Sequence, residues 1–217
     1  MKKAIALFFV LALLLSCVAG LAESAETTIV FRGIPWGTSL AEIQREGLPL
    51  QTPYHSPSIS SIAYRMYGGE KKDYYSGDVA VNVMYTTEGL SQIKVAGYNV
   101  DRIVFNFAYV PVDGKLVDDY ENTALYCALY MFAPSDPSTV LEDLANKLTM
   151  LYGDVDLTTN GYRVWYGAEG TMVSLYLDGS EIYLKYSFAG GEDLLIAAQD
   201  AKDGKLSGVS PTDTEGL

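Results

Sequence analysis

The chain is poor in the residues that most often carry chemistry or staple a small fold. Its 217 residues include two cysteines and a single histidine. Two cysteines give no disulfide framework, so an apolar core has to hold the fold unaided. The one histidine, His55, lies in a loop rich in Pro and Ser. A Ser-His-Asp triad would have to recruit it together with Ser56, Ser58, Ser60 or Ser61, whose setting reads as loop chemistry. GxSxG, HExxH, P-loop, CxxC and calcium-loop spacings are all missing. Basic residues are scarce as well: 15 Lys plus Arg stand against 27 Asp plus Glu, a net charge of −12. Such a surface repels phosphate backbones and anionic headgroups, which argues against nucleic acid as a partner. The N-terminal apolar run, Ala4 to Ser16, is shorter than the roughly 18 apolar residues a membrane helix needs.

What is present begins with that run. Lys2 and Lys3 followed by Ala4 to Ser16 form the basic and apolar parts of an export signal, expected over residues 1–22. Gly20 and Ala22 are the small residues of an ordinary cut after Ala22. Leu14-Leu15-Ser16-Cys17 supplies an alternative cut before Cys17, which would then be lipidated. The two routes separate a free product from a tethered one, and membrane contact is expected only through that lipid anchor. Either way the expected location is extracytoplasmic, secreted or anchored at the cell surface.

The rest reads as an α+β domain over 27–190. Ser39 and Glu42 have capping-box spacing ahead of a short helix that Gly47 and Pro49 stop. Trp36 is expected to pack over its first turn. Gln51 to Ser61 is a loop. Strands are expected at Ile62 to Tyr67, Val79 to Tyr85, Ile93 to Val95, Arg102 to Val110 and Ala124 to Phe132, separated by Gly-rich turns such as Gly68-Gly69. Asp136, Pro137 and Gly153 bound a second helix with an apolar stripe of Val140, Leu141, Leu144, Leu148 and Leu151. Three further strands follow near Tyr162 to Tyr166, Thr171 to Leu177 and Glu181 to Phe188. Asp178-Gly179 is a type I′ signal that pairs Leu177 with Ser180, Leu175 with Ile182 and Val173 with Leu184. Val173, Leu175, Ile182 and Leu184 then share one face. Residues 191–217 read as a short helix near Glu192 to Lys202 and a disordered tail.

Thr38-Ser39-Leu40-Ala41-Glu42 and Ser138-Thr139-Val140-Leu141-Glu142 lie one hundred residues apart. Each opens a helix that leads into antiparallel strands. The expected architecture is therefore an antiparallel sheet with helices on one face, with two tandem helix-plus-β-meander units over 27–132 and 133–190 as its candidate subdivision.

Chemistry-bearing groups are few. Cys127 alternates with Leu125, Leu129 and Met131 and reads as a small buried hydrophobe. Asp113, Asp118, Asp119 and Glu121, and separately Asp154 and Asp156, lack calcium-loop spacing and read as solvated acidic loops. No cofactor or metal is implied. Tyrosine, by contrast, is plentiful, at 17 of 217 residues. Strand alternation sets Tyr126 and Tyr130 opposite the odd apolar positions of their strand, and Tyr176 and Tyr183 opposite the hairpin's core set. Trp165 and Arg163 would join them if their strand pairs alongside, as would Asn106 from the longer strand. Tyr126, Tyr130, Tyr176, Tyr183 and Trp165 are thus the candidate contact residues of a recognition face. Aromatic pairs also stabilise sheets without any ligand, and the Gln51 to Ser61 loop or the C-terminal segment could cover the same face.

Phe31-Arg32-Gly33-Ile34-Pro35-Trp36-Gly37-Thr38-Ser39 and Val95-Ala96-Gly97-Tyr98 resemble motifs of uncharacterised exported bacterial proteins. The order helix then meander is similar to the β-lactamase-inhibitor-protein-like fold and to small outer-membrane-assembly lipoproteins, groups whose members bind other proteins through the sheet or its loops. The helix start departs from theirs, reading Trp36-Gly37-Thr38, and inhibitor-type disulfides are missing. The resemblance is architectural and implies no site residue. The expected function is a non-catalytic binding module of the bacterial cell envelope, with a protein or glycan partner. The alternatives are an envelope hydrolase using paired carboxylates and a structural or assembly subunit.

Overall fold

The computed structural model describes residues 28–55, 59–63, 71–75, 79–91, 93–159 and 161–204. The export signal with Cys17, residues 56–58 of the Ser-rich loop, residues 64–67 of one expected strand, the Gly68-Gly69 turn and the tail from 205 lie outside them. The described elements are α1 (Leu40–Arg45), β1 (Ile59–Ala63), β2 (Lys71–Tyr75), β3 (Ala80–Met84), α2 (Thr87–Leu90), β4 (Lys94–Val95), β5 (Tyr98–Asn99), β6 (Arg102–Tyr109), β7 (Thr123–Phe132), α3 (Pro137–Tyr152), β8 (Leu157–Thr159), β9 (Tyr162–Tyr166), β10 (Thr171–Asp178), β11 (Glu181–Phe188) and α4 (Gly190–Lys202). The chain is an α+β protein built on one antiparallel sheet of seven strands, in the order β3-β6-β7-β11-β10-β9-β8. β1 with β2 and β4 with β5 form two separate hairpins. Beyond β3, Leu50 and Tyr54 bridge to Tyr85 and Asn82. Strands from either side of residue 133 share the sheet, and the last strand of each part, β7 and β11, joins them.

Local chemistry accounts for the helix boundaries. In α1 the Ser39 hydroxyl accepts from Glu42 N at 3.2 Å while Glu42 Oε2 accepts from Ser39 N at 2.8 Å. That reciprocal box satisfies two otherwise unpaired donors and turns Leu40 and Ile43 into the core. Asp136 caps α3 through Thr139 N, Pro137 occupies its first turn, and Gly153 with φ of +91° ends it. The apolar stripe of α3 runs Val140, Leu144, Leu148 and then Tyr152, with Ala145 beside it. Leu151, expected in the stripe, is 68 % exposed. The i+4 step from Leu148 lands on Tyr152, and the last turn leaves Met150 and Leu151 in water.

Two tertiary features depart from simple alternation. Pairing between β6 and β7 shifts after Asn106↔Cys127 to Phe107↔Leu125, so Tyr126 is an extra, bulged residue. Before the bulge the odd residue Leu125 faces the core, and after it the even residues Ala128, Tyr130 and Phe132 do. In the β10–β11 hairpin the paired ends are Asp178 and Glu181, with Leu177↔Ile182, Leu175↔Leu184 and Val173↔Tyr186. The two-residue loop is therefore Gly179-Ser180, not Asp178-Gly179. Only Gly179 of these takes positive φ, at +60°, which suits the form with glycine first. The displacement is two positions, an even number, so Val173, Leu175, Ile182 and Leu184 still share the core face, all fully or almost fully buried.

The core lies between one sheet face and α1 plus α3, and centres on Phe31, Phe105, Phe107, Leu125, Trp165 and Leu175. α4 packs on the opposite face at the β6–β7 end, where Leu195 and Ala198 meet Val79, Ala80 and Ala108. The sheet thus carries helices on both faces rather than one. The Trp36 indole stacks on Phe188 at 5.7 Å, and its Nε1 donates to Ile29 O at 2.7 Å. Those contacts, with Ile29 N donating to the Thr171 hydroxyl at 3.0 Å, anchor the entering chain on β10 and β11.

Candidate functional site: a tyrosine ladder

β9, β10 and β11 are neighbours, and each contributes one tyrosine to a row on the face away from α1 and α3. Tyr176 and Tyr183 are directly opposite in the ladder of hydrogen bonds. Their rings stack at 5.0 Å with an interplanar angle of 3°. Tyr162 continues the row, its ring 4.3 Å from that of Tyr176. These separations match the spacing of adjacent strands, about 4.8 Å. The rings therefore stand face to face on the sheet, and the row offers solvent their edges. Tyr162 is 40 % exposed, and Tyr176 and Tyr183 are half-buried.

The surroundings of Tyr176 and Tyr183 favour their neutral phenols. Burial, reinforced by the neighbouring Tyr162, Tyr183 and nearby acids, pushes Tyr176 up to about 12. Burial and then the hydrogen bond from its hydroxyl to Glu181 Oε2, 2.9 Å, raise Tyr183 as well. Glu181 also holds the Arg102 guanidinium, whose Nε lies 3.1 Å from Asp101 Oδ2. On the edge strand β8, Thr159 pairs with Tyr162 at the row's outer end, and Leu157, opposite Val164, is exposed.

Of the five residues expected to form the recognition face, two belong to this row, Tyr176 and Tyr183. Tyr130 is 6 % exposed and packs in the core against Phe31 at 4.7 Å. The bulge at Tyr126 reverses the alternation on which its placement rested. Trp165 is fully buried, paired with Val173, and its Nε1 donates to Gly153 O at 3.1 Å. Arg163 shares its face and binds Glu142 of α3. Tyr126 lies beneath α4, where Gly191 comes so close that an added Cβ would sit 3.0 Å from the Tyr126 Cβ. Tyr162 was missed because Tyr162-Arg163-Val164-Trp165-Tyr166 carries large apolar groups at both parities, and only pairing with β10 decides which set is inside.

Other candidate groups are engaged elsewhere. Cys127 is buried, and burial pushes its thiol pKa up. Asp118 accepts from the Tyr109 hydroxyl, and Glu121 pairs with Arg45. Among the described residues no three His, Cys, Asp or Glu side chains converge as a metal site. A half-open cleft of about 470 Å³ lies between β5 and the start of α3. The acids on its wall are occupied, Asp101 with Arg102 and Asp136 with Thr139 N. Among the described residues no helix is long and apolar enough to cross a membrane. The chain matches no protein-family model, no curated protein and no solved structure with which it was compared.

Proposed function

We propose that this chain is an exported, non-catalytic binding module of the cell envelope that takes a protein partner along the Tyr162–Tyr176–Tyr183 row. The observation that carries the reading is the stacked row itself, standing on the face opposite the core, with α4 packed on the far end of that face. Stacked neighbours hold each ring in place, so little side-chain entropy is left to lose on binding. A pyranose packs flat on an aromatic face, and Tyr176 has both faces occupied by Tyr162 and Tyr183. Edges and hydroxyls in a row suit a polypeptide surface better than a sugar ring, so the partner is a protein rather than a glycan. The Lys2-Lys3 stub and the apolar run to Ser16 support export.

Site-specific photocrosslinking tests this in the native envelope. A crosslinker at Lys185, which shares the row's face through its partner Ser174, should give a defined protein adduct. A crosslinker at Glu46, behind α1, should give none. The Lys185 adduct should weaken when Tyr176→Ala is added. An adduct that ignores Tyr176→Ala, or a Lys185 crosslinker that captures nothing, removes the proposal.

A further inference from the structure

A second constellation lies at the opposite side of the sheet, in the Phe31-to-Gly37 motif. Phe31 and Ile34 form a bridge closed by Arg32 and Gly33, with Ile34 N donating to Phe31 O at 3.0 Å. Both loop residues take positive φ, +55° and +76°. Glycine or asparagine does this readily, whereas a left-handed arginine is strained. The strain aims the side chain at one place. The Arg32 guanidinium carbon sits 5.7 Å from the centre of the Tyr85 ring. Tyr130 closes the other side, its ring against that of Phe31.

Three further observations single this group out. Arg45, Arg102 and Arg163 each hold a carboxylate, whereas Arg32 holds none among the described residues, in a strongly acidic chain. Tyr85 is 2 % exposed, and its hydroxyl is the one buried side-chain polar atom of the described residues without a hydrogen-bond partner. Such an orphan forfeits its hydration without a compensating bond, so folds rarely keep one for their own sake. Burial works against the charge of Arg32, but the neighbouring Tyr130 hydroxyl, with Tyr85 nearby, outweighs it and raises its pKa.

We infer that Arg32 and the hydroxyls of Tyr85 and Tyr130 form a site for an oxyanion, a carboxylate or a phosphate. The guanidinium supplies the charge and a planar pair of donors. The Tyr85 hydroxyl supplies a donor that the fold leaves unused. Arg32 is exposed at its rim and lies over the Tyr85 ring, so the anion enters by displacing the guanidinium from that ring. A strained residue, an unpaired cation and an orphaned hydroxyl then share one cause.

The test follows the Arg32 side-chain N–H resonance of the full protein while inorganic phosphate, or separately acetate, is added against sodium chloride at matched ionic strength. A saturable shift with either anion is expected, lost in Arg32→Gln and weakened about tenfold in Tyr85→Phe. Saturation with phosphate identifies a phosphate ligand, and saturation with acetate a carboxylate. Tyr85→Phe and Arg32→Gly should both melt no lower than the parent, because the hydroxyl serves no bond and glycine relieves the turn. A shift that never saturates and matches chloride overturns the site. A lower melting temperature in both variants overturns it too, since the two groups would then be serving the fold.

Discussion

β11 carries Tyr183 and Tyr186 three residues apart, on opposite faces of the same strand. Tyr186 is buried edge-on against Phe31 at 5.3 Å and Tyr130 at 6.1 Å, inside the core. Tyr183 stacks flat on Tyr176 and stays half-buried. On the core face Tyr186 meets Phe31 and Tyr130 at steep angles, 70° and 85°, as packed aromatic interiors do. In the row on the other face the tyrosines stack on one another across the rungs. The comparison teaches that the abundance of tyrosine is two phenomena: one set fills a core and the other decorates a surface. Composition cannot separate them, because the residue type is the same and only the face differs.

The sharpest break in the comparison is at Trp165. Trp165→Ala should cost about 3–5 kcal/mol, the price of an unfilled core site, and chemical denaturation should show the midpoint fall accordingly. An effect under about 1 kcal/mol would mean that β9 is not seated as described. The tyrosines come next. Tyr130→Ala should cost about 3 kcal/mol or more, whereas Tyr176→Ala should cost about 1 kcal/mol, roughly the worth of its ring contacts. Equal losses would erase the distinction between the faces.

Alkaline titration sharpens the same contrast. Tyr176 titrates at about 12 when folded, above the ordinary phenol value near 10. Its contribution to stability is therefore complete below about pH 10 and is lost as pH rises toward about 12, where only the unfolded chain ionises freely. Tyr130 and Tyr186 are raised chiefly by burial and should stay protonated until the fold opens. Ultraviolet absorbance of phenolate should show Tyr176 titrating reversibly, with its midpoint lowered by Tyr162→Phe and Tyr183→Phe, while Tyr186→Phe removes absorbance only from the unfolding step. Glu181→Gln should have the smallest effect, at most about 1 kcal/mol, because an ion pair this open to solvent contributes little. A larger loss in thermal denaturation would show that the Arg102–Glu181–Tyr183 chain, and not ring stacking, holds the row.

Much of the fold was legible where the signal is local. Ser39 with Glu42 and Asp136 with Pro137 act within a single turn, so capping and helix phase followed from a few neighbouring residues. The hairpin faces survived a wrong loop assignment because a two-position displacement conserves parity. Legibility failed where one residue changes phase or where both parities are apolar. The extra residue Tyr126 carried Tyr130 into the core, and β9 reads equally well either way until β10 lies beside it. The left-handed Arg32 left no mark in the sequence beyond its place in a motif, since arginine gives no warning of positive φ.

By itself the sequence determined the α+β class, the antiparallel strands, the two capped helices and a core made without disulfides, because each rests on contacts within a few residues or on period-two and 3.6-residue patterns. Tertiary packing alone set which tyrosines are core and which form the row, that α4 packs on one end of the opposite face, and that Arg32 meets Tyr85 and Tyr130. Those outcomes depend on register, on one bulge and on long-range packing, which act between residues far apart in the chain and carry no local periodicity.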